Sequence, residues 1–135
     1  MNIHTLSFDV IGDNRGSLIA LENNKNIPFE IKRVYYLFGT KKKVRRGFHA
    51  HKTLKQIAVC VKGSCKFLLD DGKDKCDIEL NSPFLGLYFE GLLWREMYDF
   101  SPDCVLMIFA DDIFREEDYI RTYDEFIKVV QNAKK

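Results

Sequence analysis

The sequence predicts an all-β domain, a barrel or sandwich of antiparallel strands followed by a short C-terminal helix, and three observations carry this. Short alternating or wholly apolar runs recur along most of the chain. Clusters that favour turns punctuate them: NRGS at 14–17, NNKN at 23–26 and DDGK at 70–73. Only after residue 112 does the apolar spacing lengthen to three and four residues, the period of a helix.

Taken in order, LIALE (18–22) lies between the first two turn clusters, and IPFEIKRVYYLF (27–38) alternates and is aromatic, as a strand packed on one side should be. KQIAVCVKG (55–63) and SCKFLLDDGK (64–73) read as two strands meeting at Lys62-Gly63-Ser64, the second closing in a reversal. CDIELNSP (76–83) leads into FLGLYFEGLLWREMYDF (84–100). CVLMIFAD (104–111) is continuously apolar, which marks a strand buried on both faces. In the last segment Tyr119, Tyr123, Phe126 and Val130 share a helical face, with acids early and lysines late as the helix dipole prefers. A helix over 113–133 is predicted. The residues up to 26 are strand-like yet set off by the polar NNKN stretch, so they could cover a neighbouring subunit's sheet edge.

The 135 residues suit one domain, and 46% hydrophobic with 30% charged residues is a globular composition. With 21 basic against 20 acidic side chains, a general nucleic-acid or membrane-surface binder is not expected. No apolar run reaches the roughly 20 residues of a membrane span, and MNIHTLSFDV lacks the pattern of a secretion signal. Cys60, Cys65, Cys76 and Cys104 contain no CxxC pair, so they read as reduced thiols of a cytoplasmic protein.

Of three histidines, two stand two positions apart in GFHAHK (47–52). Residues i and i+2 of a strand share a face, which sets His49 and His51 roughly 6–7 Å apart. A metal clamp, a proton-transfer pair and two residues that merely line a pocket are the options. The HxH pair with Gly63 downstream and the later GLYFEGLLWREM (86–97) resembles the cupin pattern, a small jelly-roll barrel. In metal-binding cupins a glutamate and a third histidine complete the ligand set. Lys55 or Gln56 and Arg95 stand at those positions here, and an arginine cannot become a ligand, so no metal is expected. Proton chemistry suits imidazole, whose ordinary pKa of about 6.5 lets it take and return protons near neutrality.

DNRGSL (13–18), NKNIPFEIKRVYY (24–36), RRGFHAHK (45–52), VKGSCKFLLDDG (61–72), GLYFEGLLWREMYDF (86–100) and DYIRTYDEF (118–126) together resemble the sugar 3,4-ketoisomerases acting on dTDP-4-keto-6-deoxyglucose. The resemblance runs from about Asn14 to Asp124. It implies a cupin fold, a homodimer, no metal or other cofactor, and exchange of a keto group between C4 and C3 of the sugar. The product would feed aminotransferases that make 3-amino-3,6-dideoxysugars for surface glycans or secondary metabolites. It further implies His49 as the base at carbon, with His51 and Tyr35 handling protons on the sugar oxygens.

A nucleotide diphosphate needs cations, and the forks of Arg15, Arg33, Arg46 and Arg95 lie in the pocket-forming motifs. Positions 15 and 95 are implied to set the C4 configuration of the product. Both are arginine here, a mixture of the family's gluco and galacto patterns. Glu90-Gly91 departs from the Gly-Pro that the family pattern has before the tryptophan. A 3,5-epimerase with a related barrel, or a cupin that only binds a nucleotide sugar, are the competing readings.

Overall fold

In the computed structural model, which describes residues 1–134, the alternating runs become twelve strands and the C-terminal periodicity one helix. The strands are β1 (Ile3–Ser7), β2 (Ile11–Asp13), β3 (Gly16–Leu18), β4 (Arg33–Leu37), β5 (Arg46–His51) and β6 (Lys55–Lys62). They continue with β7 (Cys65–Asp70), β8 (Lys75–Leu80), β9 (Leu85–Glu90), β10 (Leu93–Tyr98), β11 (Val105–Ala110) and β12 (Tyr119–Ile120). The helix is α1 (Tyr123–Ala133). Two five-stranded antiparallel sheets result, one ordered β1-β9-β6-β11-β4 and the other β12-β5-β10-β7-β8, with β2 and β3 forming a separate ribbon.

Two glycines pass the chain from one sheet to the other. Gly63 joins β6 to β7 with φ near +71°, and a Cβ there would run into Ser101 and Asp103. Gly91 makes the same change between β9 and β10 at φ near +80°. The strands meeting at Gly63 are therefore neighbours in sequence but belong to opposite sheets, the arrangement of a jelly roll rather than a hairpin stack.

The all-apolar run 104–111 lies where its composition requires. β11 sits between β6 and β4, with Leu106 and Ile108 in the core between the sheets and Phe109 in a second core on the outer face. That outer face is covered by the N-terminal arm through Phe8, Ile27 and Phe29. A third cluster seats α1 on the other sheet, with Phe126 and Val130 against Trp94 and Ala50.

Several boundaries differ from the expectation. The alternation of 27–38 is strand only over 33–37. Ile27 and Phe29 are buried in an irregular arm whose turn is held by the Asn26 side chain, bonded to Glu22 N at 2.8 Å and Ala20 O at 2.7 Å. The helix begins at Tyr123, not near 113. Thr122 caps it by accepting from Glu125 N at 3.2 Å, and residues before the cap form a short turn (Glu116–Asp118) and β12. Tyr119 counts toward the helical period yet lies on a strand. Within the chain β1 lies along its own β9 and Phe8 is buried, so of residues 1–26 the ribbon is the part that stands clear. Cys60, Cys65 and Cys104 are buried and free, their sulfurs within 4.8 Å of one another, a grouping that sequence spacing gave no sign of.

Candidate active site

The two histidines lie on β5, paired with β10 so that His49 faces Arg95 and His51 faces Leu93. The expected shared face is present, with ring centroids 5.0 Å apart and the rings perpendicular. The register between β5 and β10 slips at Arg95/Glu96, where Gly47 and Phe48 take positive φ of 96° and 56°. This bulge bends the backbone back so that the Gly47 carbonyl meets His49 Nδ1 at 3.1 Å. A carbonyl can only accept, so Nδ1 carries the proton and Nε2 keeps its lone pair.

His51 is held the same way by a stronger acceptor. Its Nδ1 lies 2.7 Å from Asp118 Oδ2, while Asp118 Oδ1 accepts from Lys52 N at 3.0 Å. The His51 ring is 1% exposed and its Nε2 is buried without a partner. Tyr119 closes over both imidazoles, with centroids 5.2 Å from His49 and 4.4 Å from His51. Asp118 and Tyr119 were not singled out from the sequence. The signal was the DYIRTYDEF block of the resemblance, in which Tyr119 counts toward a helical face.

Beside His49 opens a pocket of about 490 Å³ lined by Arg33, Tyr35, Arg46, His49, Phe114 and Tyr119, among others. Tyr35 enters from β4 in the opposite sheet, with the Arg33 guanidinium 5.5 Å from its ring centre. Arg46 stands exposed at the rim. Two expected members of the pocket wall stand elsewhere. Arg95 is completely buried behind the wall, bonded through Nη1 to Gln56 Oε1 and through Nη2 to Leu93 O at 3.0 Å. Arg15 sits on the ribbon, 87% exposed, paired with Asp13 at 2.6 Å and facing a different groove. Its short, exposed strands give it no route into the pocket of its own chain.

Electrostatics favour neutral imidazoles. Burial, aided by the Arg95 charge, lowers the His49 pKa from its ordinary 6.5 to about 4. Burial and Arg95 also push the His51 pKa down, with its Nδ1 against the Asp118 carboxylate. Burial raises the Tyr35 phenol, an effect opposed by Arg95 and by the bond from Gln56. Burial likewise brings Arg95 down to about 10. A cation is poorly served here. The two positions that would complete a cupin ligand set are a guanidinium and the amide bonded to it, which put positive charge where the ion would sit.

A larger groove of about 770 Å³ lies on the outer face of the β11 sheet, lined by Val10, Ile19, Leu21, Phe84 and Phe109 among others and without a titratable group. That groove offers no group for proton transfer, whereas the histidine pocket does.

Comparison with known proteins identifies the family. The family model described as WxcM-like, C-terminal (FdtA) matches residues 1–131. A TDP-4-oxo-6-deoxy-α-D-glucose-3,4-oxoisomerase from Aneurinibacillus thermoaerophilus is 55% identical over 130 residues, covering 96% of this chain and 94% of that one. The crystal structure of a 3,4-ketoisomerase from Helicobacter canadensis superposes with a TM-score of 0.94 at 50% identity, covering 97% of this chain and 98% of the other. A histidine-to-asparagine variant of the Thermoanaerobacterium thermosaccharolyticum 3,4-ketoisomerase, in complex with TDP-4-keto-6-deoxyglucose, gives a TM-score of 0.94 at 42% identity, covering 97% and 95%. The chain belongs to the WxcM-like, C-terminal family and, within it, to the sugar-nucleotide 3,4-ketoisomerases.

Proposed function

We propose that this isomerase moves the keto group of dTDP-4-keto-6-deoxyglucose from C4 to C3 through an enediol, with His49 acting at carbon and Tyr35 at oxygen. One observation carries the assignment. His49 is neutral and holds its lone pair on Nε2, and it lines the same pocket as Tyr35.

The protons balance between these two groups. The C3 hydrogen is acidic because the adjacent C4 ketone accepts the electron pair. His49 Nε2 takes that proton while Tyr35 gives its own to the C4 oxygen, leaving an enediol, an imidazolium and a phenolate. Tyr35 then takes the proton of the C3 hydroxyl, C3 becomes the ketone, and His49, its Nε2 proton exchanged with solvent, protonates C4. Both side chains end as they began. His51 was expected to share the work at the sugar oxygens. Its ring lies one layer deeper, against His49 and Tyr119, so it forms the floor beneath the base and Tyr35 makes the exchange.

Arg33 and Arg46, at the pocket, suit the diphosphate. Arg15 is assigned to the pocket of a second subunit. Ile11 and Leu18 are 62% and 58% exposed on a ribbon that pairs only with itself, and apolar side chains so placed favour packing on another copy of the chain. A homodimer working in the cytoplasm, with Arg15 and Arg95 influencing the C4 configuration, completes the reading; the 3-keto product would pass to an aminotransferase. Among the described residues, no helix is long and apolar enough to cross a membrane.

Carbon NMR of a reaction with dTDP-4-keto-6-deoxyglucose in deuterated water tests the function. A carbonyl moving from C4 to C3, with deuterium at C4, is expected. Deuterium at C5 without carbonyl migration would point to epimerisation, and an unchanged spectrum to a binding protein.

A further inference from the structure

We propose that Gln56 is a positioning residue for Tyr35, locked by Arg95 so that the phenol presents its proton to the sugar rather than to the protein. This rests on the reading of Tyr35 as the group that works at the sugar oxygens.

An amide can ordinarily face either way, but Gln56 cannot. Its Oε1 meets Arg95 Nη1, and a guanidinium has no acceptor, so the oxygen must be the atom facing Arg95. The amide nitrogen then faces Tyr35 and donates to its hydroxyl at 2.9 Å. With a donor fixed on that side, the phenolic hydrogen has to point elsewhere. Tyr35 lines the pocket, so the open direction is the one in which the substrate sits.

The arrangement matters after proton transfer as well as before. The phenolate left on Tyr35 keeps the Gln56 N–H bond, and the amide relays it to a buried cation. Arg95 is 3% exposed and belongs to no ion pair among the described residues. Its charge is therefore uncompensated and acts on the groups around it, opposing the rise in the Tyr35 pKa that burial causes and keeping both imidazoles neutral. Burying an unpaired arginine is costly, and a merely structural position would take an apolar side chain of similar size. Gln56, with no exposed surface, sits between that cation and the acid and does not line the pocket itself.

The test is Gln56→Glu, which keeps the length and can still pair with Arg95 but replaces the donor facing Tyr35 by an acceptor. The phenolic proton would then turn toward residue 56. We expect kcat to fall by about 10²-fold, the scale of a lost acid, with KM changed by less than about threefold. The same substitution made in a Tyr35→Phe background should lower kcat no further, because two residues acting through one proton are not additive. If Gln56→Glu does not fold by circular dichroism, Gln56→Met, which removes the donor without adding charge, carries the same pair of comparisons. A folded variant with near-parental kcat would overturn the proposal, as would an undiminished effect in the Tyr35→Phe background. A parental enzyme that does not move the carbonyl would instead overturn the function on which it rests.

Discussion

At the scale of single residues, His49 is the base we propose, and its surroundings set its pH range. His49→Asn should lower kcat by 10²–10⁴-fold, about the contribution of a general base, while dTDP affinity by calorimetry stays near parental. Because burial and Arg95 bring its pKa to about 4, the neutral, competent form persists well below the ordinary 6.5. The acid limb of kcat/KM should accordingly fall near pH 4, and a midpoint near 6.5 would mean that the imidazole is not held as described. The linkage sign is the same for stability. The unfolded chain binds this proton at about 6.5 and the folded one at about 4, so the stability present above 6.5 declines as pH falls between those values. The histidine pair, Tyr35, Arg33 and Arg46 were legible because strand alternation places i and i+2 together and because the motifs are contiguous. The burial of Arg95 was not, since sequence does not tell a pocket-lining guanidinium from one bonded behind the wall to an amide 39 positions away.

At the scale of elements, the bulge in β5 aims the base. A side chain at Gly47 would need φ near +96° and would bring its Cβ to 2.8 Å from Arg95 O. Gly47→Ala is expected to cost about 1–3 kcal/mol of stability and to reduce turnover, because the carbonyl that orients His49 moves with it. Thr122→Ala should act differently. Losing the cap of α1 costs about 1 kcal/mol, seen as a lower Tm, with kcat preserved because the helix packs on the far side of the β5 sheet from the pocket. Strands rich in apolar alternation were readable along the chain, and β11 most of all. The helix start was misplaced because Tyr119 fits a helical period while Thr122, four residues before Phe126, is the residue that decides the boundary. Irregular segments such as the arm over 19–32 owe their course to side-chain bonds from Asn23 and Asn26, which periodicity does not register.

At the scale of the whole molecule, we propose that one chain provides the base, the acid and two arginines, and that a second supplies Arg15. Light scattering at micromolar concentration should give a dimer. Arg15→Ala should lower activity or alter the product's C4 configuration despite its exposure and its single ion pair with Asp13. Dimers assembled from one Arg15→Ala chain and one His49→Asn chain should regain activity, since one of their two pockets then lacks both substitutions. The central claim is that one imidazole removes the hydrogen at C3 and, once its Nε2 proton has exchanged with solvent, protonates C4. It is tested most directly by incubating parental and His49→Asn enzymes with dTDP-4-keto-6-deoxyglucose in deuterated water and following C3 and C4 by NMR. The account predicts carbonyl migration and deuterium at C4 with the parental enzyme, and neither exchange nor migration on the same timescale with His49→Asn. Parental rates of exchange and migration in the folded variant would contradict it.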